Sequence, residues 1–524
     1  MKKVKLFYLI TVSMLSFIKI NGQQFDTSIE SLSQYECPEW FKDAKFGIYC
    51  HWNAQTASKS ANNGWYARDM YMQGSGAYND HLKNWGHPSE VGYKDIIEAW
   101  NGDKFNAEQW VELFKDAGAK YIITMANHHD NFDMWDSKHQ PRWNSLNYGP
   151  KIDVCAEMRR ETLKAGLRWG VTTHVSRAYS WWQVNKDHDK TGDKKGVPYD
   201  GNNPEFSDLY FTKAKNRAAL GGAYYELRAP LASPEEYKEN WKNRMFDLID
   251  RYHPDHFYFD AAVPFMDNMG ETGLEVISHY YNHNAERHGG KNQGVMVFKE
   301  IPYHGIFYKD IATEVMERQF SGSIEDKPKQ TDNSIGPWFY TGNSNFNSKE
   351  KAKSIIHDLV DVVSKNNNLL LNIPPKADGS FDEKTIQTLK IIGTWLKVNG
   401  EAIYATRPWH IYGEGQIRYT TRKKTLYAIM LNQPSHVIKA CREWTKNDIL
   451  KIERLDGGKV SWKLTDQGLK ITSSNKSPQN AYVFKIECRK EISDLPVFIE
   501  KRKESQKGKD QMEEFGFDGN KKNN

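Results

Sequence analysis

The stretch His256-Phe257-Tyr258-Phe259-Asp260-Ala261-Ala262 is a short run of aromatic residues that ends in one carboxylate. Phe and Tyr are enriched in β-strands, so the run predicts a buried strand that ends next to Asp260. In a barrel of parallel strands, catalytic residues lie at the carboxyl ends of the strands. The stretch therefore predicts either a catalytic carboxylate or a carboxylate that only caps the strand.

Strand and helix patterns alternate on both sides of this stretch. We predict strands at 45–52, 119–126, 167–174, 256–260, 294–298 and 369–373. We predict helices at 106–117, 153–165, 233–252, 271–287, 348–364 and 384–398. Such alternation implies a parallel sheet with right-handed crossovers, and the number of units favours a TIM-like (β/α) barrel. No Gly-x-Gly-x-x-Gly follows a predicted strand, so a dinucleotide site is not indicated.

The pattern changes near residue 408, where short strands separated by turns begin. We predict a catalytic barrel over 23–407, an antiparallel β-sandwich over 408–490 and a charged, disordered tail over 491–524. The segments 53–104 and 183–232 are predicted to be long loops, and the second is either a lid or binding loop or a disordered insertion.

The first residues and the composition limit the class of protein. A basic start followed by an apolar run at 6–18 predicts a cleaved signal peptide over 1–22 and export to the periplasm or the exterior. The net charge of +5 is too small to predict nucleic-acid binding. A mean hydropathy of -0.76 excludes an integral membrane protein. The five cysteines have no zinc-ligand or disulfide-framework spacing, and we predict buried thiols.

Histidines follow several of the predicted strands, namely His51, His128, His129 and His174. Together with Asp260 they are compatible with a metal-dependent hydrolase or with a sugar-binding pocket. A metal site usually has a second acidic ligand or a close His-x-His spacing, which this pattern lacks. Neutral imidazoles, by contrast, can both donate and accept hydrogen bonds to sugar hydroxyls, and aromatic rings stack on sugar faces.

Longer motifs resemble the α-L-fucosidases, family 29 of the glycoside hydrolases. In order, over roughly 38–410, they are Lys45–Trp52, Trp65-Tyr66, His128–Phe132, Trp135–Ser137, Tyr258–Asp260, Asp361–Lys365, Asn368–Lys376, Trp395-Leu396 and Asn399–Tyr404. The resemblance implies a retaining exo-glycosidase that removes terminal α-L-fucose through a covalent glycosyl-enzyme. It also implies a fucosylated oligosaccharide or glycoconjugate as substrate, and neither a metal nor a cofactor.

The resemblance also implies roles for individual residues. Asp260 matches the family's nucleophile. The candidates for holding the sugar are His51, Trp65, His128, His129, His174 and Trp338.

The acid/base residue is expected, from the resemblance, in a loop after the nucleophile strand. We predict Glu317, with Glu314 as the alternative and Glu300 and Glu325 as more remote candidates. The adjacent Arg318 leaves open that Glu317 forms an ordinary ion pair.

Four positions depart from the family pattern: Gly64 replaces an acidic residue, Asn131 a Gly, His174 a Tyr and Gln330 a Glu. These changes concern the sugar pocket more than the reaction type. Because α-L-fucose and α-L-galactose differ only at C6, an α-L-galactosidase is an alternative. A non-catalytic carbohydrate-binding relative is another, and a metal hydrolase on the same barrel is the third.

Overall fold

Eight parallel strands form a closed barrel in the computed structural model, which describes residues 24–61, 64–215, 234–265, 271–299, 310–342, 344–474 and 480–499. The strands are β1 Phe46–Cys50, β2 Tyr121–Met125, β3 Arg168–Thr173, β4 His256–Phe259, β5 Val295–Lys299, β6 Thr313–Glu317, β7 Gln330–Ser334 and β8 Asn368–Asn372. They pair in sequence order, and β1 pairs with β8 to close the sheet. The predicted barrel is confirmed.

Six longer helices alternate with these strands and cover the outside of the barrel. They are Ala107–Asp116, Val154–Lys164, Glu235–Tyr252, Thr272–Arg287, Ser348–Ser364 and Glu383–Asn399. Each corresponds to a predicted helix within a few residues. None of the helices described is both long and apolar enough to cross a membrane.

Shorter helices occur where we predicted loops. The segment 53–104 contains Tyr66–Asp69, Gly76–Asn84 and Tyr93–Ala99, and 183–232 contains Ser207–Tyr210. The prediction failed there because local capping and tertiary contacts hold these helices, and their apolar periodicity is weak. Ser75, for example, accepts a hydrogen bond from the backbone N–H of Tyr78 at the start of its helix. Three further short helices are Ile29–Leu32, Glu39–Ala44 and Ala178–Trp181.

Strands β6 and β7 are missing from the sequence prediction. Both are short and polar, and residues 318–329 join them without a helix. Side chains alternate across a strand, so Thr313, Val315 and Glu317 of β6 point into the barrel. By the same alternation, Val295, Val297 and Lys299 of β5 all point into the barrel. Polar side chains thus face inward because this end of the barrel carries the site.

The C-terminal region contains two antiparallel sheets. Their strands are β9 Gly413–Glu414, β10 Ile417–Arg422, β11 Thr425–Met430, β12 His436–Ile438, β13 Ile449–Arg454, β14 Val460–Thr465, β15 Gly468–Ser473 and β16 Tyr482–Cys488. One sheet has the order β13-β16-β11-β10-β9 and the other has the order β12-β15-β14. Apolar side chains from both sheets share one core, as expected for the predicted sandwich.

The structure describes only part of the predicted tail at 491–524 and none of the predicted signal peptide at 1–22. Ile492 and Leu495 are buried in the core of the sandwich, although the predicted boundary at 490 assigned them to the tail. Residues 500–524 and the predicted signal peptide at 1–22 lie outside the described residues. All five cysteines are free thiols; four are buried, and Cys37 is partly buried.

Candidate active site

A cavity of about 140 Å³ opens at the carboxyl ends of the barrel strands. It is lined by Tyr49, His51, Gly64, Trp65, His128, His129, His174, Arg177, Tyr258, Asp260, Lys299, Glu317, Asp332 and Trp338. The predicted nucleophile Asp260, the preferred acid Glu317 and all six predicted sugar-binding residues therefore line one cavity.

Asp260 follows β4 directly and lies among positively charged and imidazole groups. Its Oδ2 is 3.1 Å from Nδ1 of His174 and 3.4 Å from Nη2 of Arg177, and its Oδ1 contacts the ammonium of Lys299. Burial alone would raise the pKa of this carboxyl, but Lys299, His174 and Arg177 together hold the pKa well below its usual value. Asp260 is thus an ionised carboxylate at neutral pH.

Glu317 stands at the end of β6, beside the same lysine. Lys299 Nζ donates to Glu317 Oε2 at 2.6 Å while it also contacts Asp260. Because one nitrogen contacts both carboxylates, the contacting oxygens are at most about 5 Å apart, which is shorter than the ≈ 6.5–9.5 Å of inverting glycosidases and fits a retaining enzyme. The expectation that Glu317 lies in a loop was wrong, because Glu317 is the last residue of the barrel strand β6.

The other acid candidates lie elsewhere. Glu314 points to the opposite face of β6 and pairs with Lys329 at 2.8 Å, and Glu325 pairs with the same lysine at 3.1 Å. Glu300 lies outside the described residues. Arg318 places its guanidinium 4.7 Å from the ring centre of Trp338 and so packs against a side chain that lines the cavity.

Two of the cavity histidines have tautomers defined by their neighbours. Nδ1 of His51 donates to Oδ1 of Asn372 at 2.9 Å, which leaves Nε2 as an acceptor. Gln55 donates to Nδ1 of His128 at 3.1 Å, which leaves Nε2–H as a donor. Burial lowers the pKa of His51 to about 3 and that of His128 well below its usual value. Both rings are therefore neutral and suited to hydroxyl groups.

His129 uses both of its ring nitrogens within the protein. Nδ1 donates to the backbone oxygen of His174, and Nε2 accepts from Arg177 at 3.0 Å. Burial and Arg177 lower its pKa well below the usual value. His129, His174 and Asp260 have ligand atoms within 4.8 Å of one another. A metal ion there would face Arg177 and Lys299, so this charge arrangement favours a sugar over a cation.

The neighbouring histidines both face the cavity because β2 ends at Met125, before them. The following Asn131 has φ of 63°, in the left-handed region that Asn tolerates better than most residues. This explains how Asn can replace the usual Gly. The Asn131 amide also donates to the backbone oxygens of Asp208 and Leu209.

Tryptophans form the rim and one wall of the cavity. Trp65 is 38% exposed and lies with its ring centre 6.5 Å from that of His129. Trp338 lies 5.3 Å from the ring of His51. Their positions suit stacking on a sugar ring and on the group attached to it.

Sequence reasoning missed Lys299, Arg177 and Asp332. Asp332 is buried and accepts hydrogen bonds on Oδ2 from Tyr258 at 2.8 Å and from Tyr49 at 3.3 Å. Burial raises its pKa to about 6, assisted by the nearby carboxylate of Glu317 and opposed by Lys299. Lys299 could have been recognised from its position, because it lies two residues after Val297 and therefore on the same inward face of β5.

Comparison with known proteins agrees with this geometry. The family model described as alpha-L-fucosidase matches residues 13–401. The chain belongs to the α-L-fucosidase family. The resemblance drawn from the motifs is therefore confirmed, and so is the prediction of a glycoside hydrolase.

Relatives and solved structures extend the match over most of the chain. The tissue α-L-fucosidase of Rattus norvegicus is 26% identical over 82% of this chain and 84% of its own length. The plasma α-L-fucosidase of Homo sapiens is 26% identical over 79% and 80%. The crystal structure of Thermotoga maritima α-fucosidase with a mechanism-based inhibitor is 25% identical, has a TM-score of 0.67, and covers 88% of this chain and 100% of that one.

Proposed function

We propose that this protein is a retaining exo-α-L-fucosidase in which Asp260 is the nucleophile and Glu317 the acid/base. The observation that supports the proposal best is the pair of carboxylates on either side of Lys299, at a separation suited to double displacement. Membership of the α-L-fucosidase family supports L-fucose as the sugar. The substrate we propose is a fucosylated oligosaccharide or glycoconjugate.

The reaction has two steps. An oxygen of Asp260 attacks the anomeric carbon, the bond from that carbon to the leaving oxygen breaks, and Glu317 gives its proton to that oxygen. Glu317 then takes a proton from water, the water oxygen attacks the anomeric carbon, and the ester bond to Asp260 breaks. Two inversions give net retention.

The pocket side chains act on the sugar through hydrogen bonds and stacking. The neutral His51 offers an acceptor and the neutral His128 offers a donor, so neighbouring hydroxyls can be bound without a change of charge. Trp65 and Trp338 supply flat apolar surface at the mouth of the cavity. We expect this cavity to bind the terminal fucose.

The test is hydrolysis of aryl α-L-fucoside and aryl α-L-galactoside by the wild type and by Asp260→Ala. We expect the wild type to release α-L-fucose first, as seen by NMR, and Asp260→Ala to lose roughly 10³-fold or more in kcat. Azide should restore turnover of Asp260→Ala and give the β-configured azide. Inactivity of the wild type towards both substrates would contradict the proposal, and faster cleavage of the galactoside would favour the α-L-galactosidase alternative.

We also propose that the chain is exported, on the basis of its basic and then apolar first residues. Cell fractionation and N-terminal sequencing of the mature protein test this. Residue 23 as the mature N-terminus would agree with the predicted cleavage, and an uncleaved protein retained in the cytoplasm would contradict it.

A further inference from the structure

Lys299 lies between the two carboxylates that we assign to the reaction. Its ammonium contacts Asp260 Oδ1 and is 2.6 Å from Glu317 Oε2, while the side chain is only 5% exposed. Its strand β5 stands between β4, which Asp260 follows, and β6, which carries Glu317. The lysine therefore reaches both groups from the barrel wall without a change in backbone position.

More than one acidic group lies near the single positive charge of Lys299. Its ammonium contacts the carboxylates of Asp260 and Glu317, and the carboxyl group of Asp332 also acts on it electrostatically. Asp332 accepts hydrogen bonds from Tyr49 and Tyr258, whereas the ammonium itself is in ion-pair contact with Asp260 and Glu317. On the far side of Asp260, His174 and Arg177 contact the other carboxylate oxygen. Lys299 is thus the cation that Asp260 and Glu317 share.

We propose that Lys299 is a positioning residue that pairs with whichever of Asp260 and Glu317 carries the negative charge at each stage of the reaction. This inference rests on the proposed function. Before the first step Asp260 is ionised and Glu317 holds the proton. When the ester forms, the negative charge of Asp260 is lost and Glu317, having given up its proton, becomes the anion.

The sum of charges over the three groups is the same in both states. Lys299 therefore stabilises ionised Asp260 as a nucleophile and, after the ester forms, ionised Glu317 as a base. Hydrolysis returns the proton to Glu317 and the negative charge to Asp260. No group outside the triad has to take up or release a proton during the cycle, apart from the proton delivered to the leaving oxygen and the proton taken from water.

The expected consequence is a pH profile whose position depends on Lys299. The active free enzyme has one proton on the Asp260–Glu317 pair, so the profile of kcat/KM against pH is bell-shaped. An adjacent cation lowers both apparent pKa values of the pair. Without that cation both limbs of the bell should move to higher pH, by about 1–3 units.

The experiment compares Lys299→Met, Lys299→Gln and Lys299→Arg with the wild type on an aryl α-L-fucoside. The neutral variants should show both limbs at higher pH, whereas Lys299→Arg should keep them close to the wild-type positions. Lys329→Met is the matched control, because Lys329 also bridges two carboxylates, Glu314 and Glu325, away from the cavity. Its profile should coincide with that of the wild type.

A lower rate without movement of the limbs would overturn the inference, because a purely structural role predicts that result. Thermal unfolding shows whether each variant is folded. If both neutral variants fail to fold, Lys299→Arg decides alone, since a move of its limbs by more than about one unit contradicts a role of charge. Failure of the proposed function looks different: the wild type would not hydrolyse fucosides or would form no ester on Asp260.

Discussion

Nε of Arg244 donates a hydrogen bond to Oδ2 of Asp133 at 3.0 Å, and both side chains are almost completely buried. Arg244 comes from the helix Glu235–Tyr252, and its Nη1 also donates to Oδ1 of Asn131 at 2.6 Å. The pair therefore connects an outer helix to the loop that carries the cavity residues His128 and His129. Arg244 supports the site although it does not line it.

Replacement of Arg244 by Met should lower the free energy of unfolding by about 3–5 kcal/mol, because it leaves Asp133 buried without its cation. Lys242→Met is a suitable control, since Lys242 lies on the same helix and pairs with the exposed carboxylates of Glu239 and Glu275. The control should cost about 1 kcal/mol or less. Urea unfolding at neutral pH measures both, and equal losses would contradict the argument.

Glu317→Ala should reduce hydrolysis of natural fucosides far more than hydrolysis of aryl fucosides, because an aryl leaving group needs little protonation. We expect roughly a 10²–10⁴-fold loss in kcat/KM on a fucosyl disaccharide. Azide should restore activity on the aryl substrate, because it attacks the ester without a general base.

Glu314→Ala is the matched control for this prediction, since Glu314 lies on the same strand but faces the other way towards Lys329. Its rates should remain near those of the wild type on both substrates. Similar losses for the two variants, or equal losses of Glu317→Ala on both substrates, would assign the acid/base role to a different residue.

Trp65→Ala should raise KM about 3–10-fold with little change in thermal stability, because the ring is at the rim and 38% exposed. Trp65→Phe retains a flat ring and should recover most of the affinity. Initial rates over a range of fucoside concentrations, with thermal unfolding of each variant, check this. An unchanged KM in Trp65→Ala would exclude stacking by this side chain.

Asp332 should make the protein less stable as the pH rises. Its pKa of about 6 in the folded state is above the usual value of 3.8, so the folded protein binds the proton more tightly than the unfolded chain. The resulting stability is complete below pH ~4 and is lost as the pH rises through about 6. Relative to Asp332→Asn, the wild type should lose roughly 2 kcal/mol of unfolding free energy between about pH 4.5 and about pH 8. Urea unfolding at several pH values measures the difference, and a constant difference would contradict it.

Six of the barrel strands could be predicted from the sequence because each is a run of mostly apolar residues. Strands β6 and β7 could not be predicted in this way, because both are rich in polar residues. Glu317 of β6 and Asp332 of β7 line the cavity. The same reason applies to the site. His51, His128 and Asp260 were recognisable from motifs, whereas Lys299 and Arg177 acquire meaning only from the carboxylate that they contact in space.

Asn131 illustrates a departure that the sequence alone could not interpret. In the structure its backbone is left-handed and its amide joins Arg244 to the backbone at Asp208 and Leu209. The substitution therefore keeps the turn of the motif and adds contacts to it. Gly64 leaves space beside Trp65, which is consistent with a change in the pocket and not in the reaction.

The cavity of about 140 Å³ has both Asp260 and Lys299 in its lining. An exo-acting glycosidase removes only the end of a glycan chain, so the effective substrate concentration is the number of fucosylated ends and not the mass of glycan. A highly branched glycan should therefore be consumed faster than a linear one of equal mass. The activity on any glycan would also stop at the first terminal sugar that the pocket does not admit.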